Sequence, residues 1–337
     1  MHQRENETAA TGAPPSFAVT DVAQVIRISV LALVAWIFPS RAWPPLATLF
    51  ARVNARLRPA EMKRMTAEIA GALGDRAPRP PSDIAHDGLA FLYEEWLQLL
   101  RDYRPDGWRP ETRVENADRI DAALSQGKGV ILWVTSFVFS NQMTKMALNR
   151  AGYGVTHLSR PTHGFSESQF GVRVLNPIQT RIEDRYIRER VEIQKARPID
   201  ALRTLHGRLR DNGIVSITLN DETEHMLPVP FLAGTADIPR GPAELARMTG
   251  AVLLPVCTVR EAHWRYVTHI GEPIAAPGLR GAEHDQAVAH DLVAWLEPII
   301  LKHPALWKTW PMVTPGDGAL GRTGDETCGA PSLQRQD

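Results

Sequence analysis

The sequence predicts an α/β fold: a largely parallel central sheet flanked by helices, with N-terminal membrane-associated helices in front of it. Three observations carry that prediction. Continuous apolar runs at 130–135 (VILWVT), 214–219 (IVSITL) and 252–256 (VLLPV) have the composition of strands buried on both faces. Segments with helical spacing alternate with these runs, as crossovers between parallel strands require. No internal repeat or linker interrupts 85–312, so the alternation belongs to one domain.

Residues 1–18 are polar, lack apolar periodicity and are expected to be disordered. Residues 19–64 form the predicted membrane-associated unit. Within it, 28–40 carries no charge and lies between Arg27 and Arg41. That run is short of the roughly 20 apolar residues of a spanning helix, and it lacks the cleavage site of a signal peptide. Next, Leu46, Leu49, Phe50, Val53 and Leu57 recur at helical spacing. Arg41, Arg52, Arg56, Arg58, Lys63 and Arg64 surround them, opposed only by Glu61. An apolar helix followed by a basic amphipathic one suits an anionic leaflet. The competing reading is a helical hairpin packed on the domain with its arginines solvated.

The α/β domain is assigned to 65–312 and the tail 313–337 to disorder. A strongly periodic core helix is predicted at 88–103. A helix at 118–126 leads through Gly127-Lys128-Gly129 into the strand at 130. A helix follows at about 141–151, closed by Gly152, and then a strand at 154–159. Later come a helix at 198–211, the strand at 214–219 and a short apolar loop, Pro230-Phe231-Leu232. A Pro239-Arg240-Gly241-Pro242 turn opens the next helix, with Glu244 in its first turn and Gly250 at its stop. Strands at 252–257 and 264–270 and a helix at 287–302 complete the series.

The composition excludes several classes. Formal net charge is zero, so no global field draws the chain to nucleic acid, and no zinc-finger or RNA-binding motif is present. Cys257 and Cys328 do not form a disulfide framework, and no metal-ligand cluster has convincing spacing. In an open α/β sheet, chemistry gathers at the carboxyl ends of the strands. Three such ends are polar: Ser136 and Asn141 after the first strand, Arg160, Pro161 and His163 after the second, and Asn220, Asp221 and Glu222 after the third.

The GKGVILWV strand, Arg160-Pro161, the Asp221 region, the block at 227–256 and the closing His303-Pro-Ala-Leu-Trp307-Lys-Thr-Trp310 recur in an order that resembles one family. This is the bacterial lipid A late acyltransferases, the lauroyl/myristoyl transferases, and the resemblance covers most of 22–312. It implies an acyltransferase-like domain and a fatty acyl group supplied by acyl carrier protein or acyl-CoA. It also implies a membrane lipid acceptor and no metal or redox cofactor. The place implied is the cytoplasmic face of the bacterial inner membrane, as a monotopic protein or through a single N-terminal anchor.

In that family a His acts as general base on an acceptor sugar hydroxyl, and an acidic residue, with four residues between them, orients it. The logic is sound, because a near-neutral imidazole can take the hydroxyl proton and a carboxylate fixes its tautomer. The matching positions here are Ser136 and Asn141. Serine is no base at neutral pH and asparagine cannot stabilise an imidazolium by charge, so the inherited mechanism is not expected to run unchanged.

Three readings follow. Ser136 takes the acyl group, with His163 as base and Asp221 orienting it, although no G-x-S-x-G turn surrounds Ser136 and His163 equally reads as an ordinary loop residue. Alternatively, binding and orientation suffice for an already nucleophilic acceptor. In the third, the chain is a catalytically inactive homologue that binds acyl chains or lipid. Substrate contacts are assigned to Arg160, Phe231, Arg240 and Gly241. For Arg160 and Arg240 the alternative is a structural salt bridge, and for Gly241 a need for turn geometry. Trp307 and Trp310 read as core.

Overall fold

The computed structural model describes residues 15–194, 198–219 and 225–316. Its elements in chain order are α1 (Val19–Ile37), α2 (Trp43–Leu57), α3 (Pro59–Leu73), α4 (Pro81–Arg101), β1 (Glu111–Glu115), α5 (Asp118–Leu124) and β2 (Val130–Val134). Next come α6 (Ser140–Arg150), β3 (Val155–Ser159), α7 (Asn176–Glu183), β4 (Glu189–Glu192), α8 (Pro198–Arg210) and β5 (Ile214–Thr218). The last are β6 (Met226–Phe231), β7 (Gly234–Pro239), α9 (Gly241–Thr249), β8 (Val252–Ala262), β9 (Arg265–Ile270), α10 (Gly281–Lys302) and β10 (Val313–Pro315).

A seven-stranded sheet in the order β1-β9-β8-β2-β5-β3-β4 forms the centre. Every pairing in it is parallel except β8 with β9. The alternation of side chains along a strand builds two cores from one run of residues. In β2, Ile131 and Trp133 enter the larger apolar layer, while Val130, Leu132 and Val134 enter the smaller. This is why the run reads as continuously apolar. β8 does the same, with Leu253 and Cys257 on one side and Leu254 and Val256 on the other. Burial pushes the Cys257 thiol up to about 12.

Gly129 makes the entry to β2 possible. Its φ is +76°, and a Cβ there would stand 2.7 Å from the Leu209 carbonyl oxygen. The Gly129 N–H donates to the Asn212 side chain. The helix–Gly-Lys-Gly–strand joint is therefore tied to the end of α8, which sets β2 beside β5.

The structure departs from the sequence expectations in several places. α1 begins at Val19, well before the uncharged run, so the apolar helix is 19 residues long and passes by length and composition as a possible span. Ile28, Leu31, Val34 and Ala35 face inward, and α1 lies against α4. Val19, Val22, Ile26, Val30, Leu33 and Ile37 remain exposed. Second, the apolar loop at 230–232 belongs to a hairpin, β6 with β7, extended by β10 into a small antiparallel sheet. Pro228 and Pro230 argue against a strand, yet β6 is an edge, where residues without an N–H are tolerated. Third, β10 carries regular structure past residue 312. Fourth, β1 and β4 escape the sequence pattern because they are short, charged and at the sheet edges. The disorder expected for 1–14 and 317–337 lies outside the described residues.

Candidate functional site

The carboxyl ends of β2, β5 and β3 lie side by side, as the parallel order requires. Thr135 caps β2 by donating to the Val256 carbonyl from both N–H and Oγ1. The chain then turns sharply through Ser136 to Phe139, which sits at φ +73°, and α6 begins at Ser140. The closing segment clamps this turn. Lys308 N–H donates to the Ser136 carbonyl, Val138 N–H to the Leu306 carbonyl, and Phe137 packs its ring on Trp307. Glu95 of α4 accepts from the Phe139 N–H at 2.8 Å and approaches Lys308 Nζ at 3.5 Å. A carboxylate at the start of α6 complements the helix dipole. The His-Pro…Trp segment thus holds the turn after β2, and Trp307 and Trp310 are buried as expected.

Ser136 is half-buried and its hydroxyl donates to the Leu219 carbonyl. The proton a base would need to remove is therefore committed to the neighbouring strand end. β5 separates β2 from β3, which puts those strands two spacings, about 10 Å, apart. Among the described residues no hydrogen bond joins Ser136 to His163. Asp221 lies outside the described residues. Among the described residues Ser136 and His163 are therefore not brought together, because β5 stands between their strands.

His163 has a different carboxylate. Its Nε2 lies 2.9 Å and 3.2 Å from the two oxygens of Glu183, the last residue of α7. Glu183 is fully buried, and Lys145 Nζ (2.6 Å), Arg190 Nη2 (3.0 Å) and Gln179 Nε2 (2.8 Å) donate to it as well. Burial alone would raise its pKa; the Lys145 charge, the contact with His163 and the Arg190 charge outweigh that and hold it well below the usual carboxylate range. Burial also lowers the pKa of Lys145, against the pull of Glu183. His157, buried in β3 with Nδ1 2.8 Å from Ser216 Oγ, is kept neutral by burial and by the Lys145 charge.

Lys145 and Asn141 stand one turn apart on α6. With Ser140, Thr144, His157, Ser216 and Thr218 they line a cavity of about 10 Å³ under the strand ends, room for about one water-sized sphere. The Ser140 hydroxyl is buried there without a hydrogen-bond partner among the described residues. Sequence reasoning missed Lys145, Gln179, Glu183 and Arg190. The available signal was the buried face of α6, which carries Ser140, Thr144 and Lys145 where an ordinary covering helix would be apolar.

The remaining candidates separate. Arg160 is half-buried at the end of β3, on the same rim. Arg240 donates to buried Asp285 of α10 at 2.7 Å, beside Arg247 at 3.2 Å, so it makes the structural salt bridge. Phe231 is a core side chain at the β6–β7 turn. Gly241 is not in the left-handed region, and a Cβ there would meet open space, so the turn does not require glycine. Among the described residues no group of three or more His, Cys, Asp or Glu could hold a metal ion.

The profile of the family described as bacterial lipid A biosynthesis acyltransferase matches residues 14–310. No curated protein matches the chain. Among solved structures it is similar to the 1-acyl-sn-glycerophosphate (LPA) acyltransferase PlsC from Thermotoga maritima. That match has 12% identity and a TM-score of 0.34, and covers 80% of this chain and 100% of that one.

Proposed function

Since the chain belongs to the bacterial lipid A biosynthesis acyltransferase family, we propose that it transfers a fatty acyl group from acyl carrier protein or acyl-CoA to a lipid or other amphiphilic acceptor. The observation that carries this reading is the continuity of the family match from the first helix to the closing Trp segment. The strand-end rim supports it: the turn that bears the family's reactive positions is kept and clamped, although Ser136 and Asn141 fill them. The reaction is attack of an acceptor oxygen or nitrogen on a thioester carbonyl carbon. The C–S bond breaks, and the acceptor's proton ends on the released thiol.

We further propose that the protein lies on the cytoplasmic face of the inner membrane as a monotopic protein. The exposed stripe of α1 supports this, together with Arg52, Arg56 and Lys63, which rim an open groove between α2 and α3. We assign Arg160, on the same rim, to an anionic group on donor or acceptor.

The loss of both motif residues favours one other reading, an inactive homologue that binds acyl chains or lipid. A transfer assay separates the two. Purified full-length protein is incubated with hexadecanoyl-acyl carrier protein or hexadecanoyl-CoA and a total bacterial lipid extract, and products are read by mass spectrometry. An acylated lipid formed only with protein present supports the transferase. No product and no loss of thioester, with acyl-CoA still raising the melting temperature, replaces it with the binding protein.

A further inference from the structure

The family's reaction needs an imidazole whose second nitrogen is held by a carboxylate. Positions 136 and 141 supply neither. His163 and Glu183 supply both, on the strand end beyond β5.

Their geometry is that of a working base. An ionised Glu183 can only accept at Nε2, so Nε2 carries a hydrogen; the Gln179 amide, 3.1 Å from the same nitrogen, then donates to Glu183 Oε1 at 2.8 Å, and in the neutral ring Nδ1 carries the lone pair. Among the described residues Nδ1 has no hydrogen-bond partner, and the side chain is 26% exposed. The Nε2 edge of the ring is therefore held, and the side chain as a whole stays partly open to solvent. The carboxylate is also rigid: Lys145, Arg190 and Gln179 occupy its remaining directions. Lys145 and Arg190 already face its charge, so the carboxylate does not need His163 as a third partner.

The loop bearing His163 is tied as well. Asn176 Oδ1 accepts from the Phe165 and Ser166 N–H groups, and Asp21 of α1 accepts from Ser166 Oγ and Ser168 Oγ. The pair is joined to the emptied motif, because Lys145, which holds Glu183, lines the same cavity as Asn141.

We propose that His163 is the general base of acyl transfer in this chain, positioned by Glu183, in place of a histidine at 136. Nδ1 takes the proton from the acceptor hydroxyl as its oxygen attacks the thioester carbonyl carbon. The tetrahedral intermediate expels the thiolate, and Nδ1–H returns the proton to that sulfur. The products are an ester and a thiol, and the imidazole ends neutral. His163 is the catalytic residue; Glu183 is a positioning residue that acts through it. The inference rests on the acyl-transfer reading above.

The test compares wild type, His163→Gln and Glu183→Gln in the same transfer assay across pH 5–9. His163→Gln should lower kcat by about 10²- to 10⁴-fold with little change in KM, and should abolish the limb of the pH profile that reports the imidazole. Glu183→Gln should displace that limb instead of removing it. Adding Ser136→His and Asn141→Glu to His163→Gln should restore transfer. If His163→Gln does not fold, His163→Ala assayed with added imidazole replaces it; rescue supports the base and no rescue overturns it. A His163→Gln protein with the wild-type rate and pH profile sinks the relocated base and leaves acyl transfer standing. A wild type that consumes no thioester overturns both.

Discussion

Replacing Lys145 by methionine tests the buried cluster directly. Lys145 is nearly enclosed, and its Nζ lies 2.6 Å from a Glu183 oxygen that is itself fully buried. Methionine keeps the length and apolar stem of the side chain, so the change removes charge far more than volume. Breaking one side of a buried pair costs about 3–5 kcal/mol, because the surviving charge keeps its desolvation penalty. Arg190 still reaches the same carboxylate at 3.0 Å, which argues for the lower end, about 3 kcal/mol. A folded unit of roughly 300 residues has an unfolding entropy of about 0.6 kcal/mol/K, so Tm should fall by about 5 °C. Glu183→Gln should cost a similar amount. The double variant Lys145→Met/Glu183→Gln leaves Arg190 its bonds to Asp184 (2.7 Å) and Ser159 (2.9 Å). Its cost should therefore be about 1–3 kcal/mol less than the sum of the singles. Urea unfolding of the four proteins, followed by circular dichroism, measures that coupling. Single effects that add to within about 0.5 kcal/mol would refute the reasoning, since independent residues do not form a pair.

His157 makes a pH prediction. Its folded pKa is depressed by burial first and by Lys145 second, so the stability linked to it is present above the unfolded value of 6.5 and is lost as pH falls. Wild type should lose up to about 1.4 kcal/mol per pH unit between pH 6.5 and 5, and His157→Gln should flatten that window; equal slopes would show that His157 is protonated in the fold. Gly129→Ala should cost about 3 kcal/mol or more, because both positive φ and the 2.7 Å approach to Leu209 oppose a Cβ. Gly127→Ala, at φ +72° in open space, should cost about 1 kcal/mol; equal melting points would disprove the tight joint. Val30→Glu/Leu33→Glu removes two exposed apolar side chains from α1 and should weaken binding to anionic vesicles about a hundredfold. Undiminished co-flotation would place the membrane contact elsewhere.

What the sequence made legible is what depends on short-range pattern. The runs at 130, 214 and 252 were strands because both their faces are covered, and no partner needed to be known to see it. Gly127, Gly129 and Gly250 marked ends correctly because positive φ is a local demand. The hairpin of β6 and β7 was hidden by Pro228 and Pro230, whose tolerance depends on β6 lying at an edge. Edge position is a property of the assembled sheet and has no local sign. α1 began early because Asp21 is buried at its start, where Ser166 and Ser168 satisfy it from a segment 145 and 147 residues away. Read alone, that aspartate looks like a residue that keeps a helix end in water.

The site was half legible for the same reason. Arg160 and His163 were found on the rim because strand ends collect chemistry in any parallel sheet. Their partners depend on which strands are neighbours. Joining Ser136 to His163 requires the ends of β2 and β3 to meet; β5 lies between them, and the Ser136 hydroxyl donates to the carbonyl at its end. Glu183 comes from α7, a helix the sequence reading did not place, and Gln179 and Glu183 share a face only once that helix exists. A carboxylate can satisfy a histidine from any element that passes within hydrogen-bond reach, so a motif search at fixed spacing finds such a pair only while both residues stay on one turn. Once the imidazole sits after β3 and the carboxylate at the end of α7, the spacing carries no signal. The remaining trace is then indirect: a covering helix, α6, that buries a lysine where packing alone would have used an apolar residue.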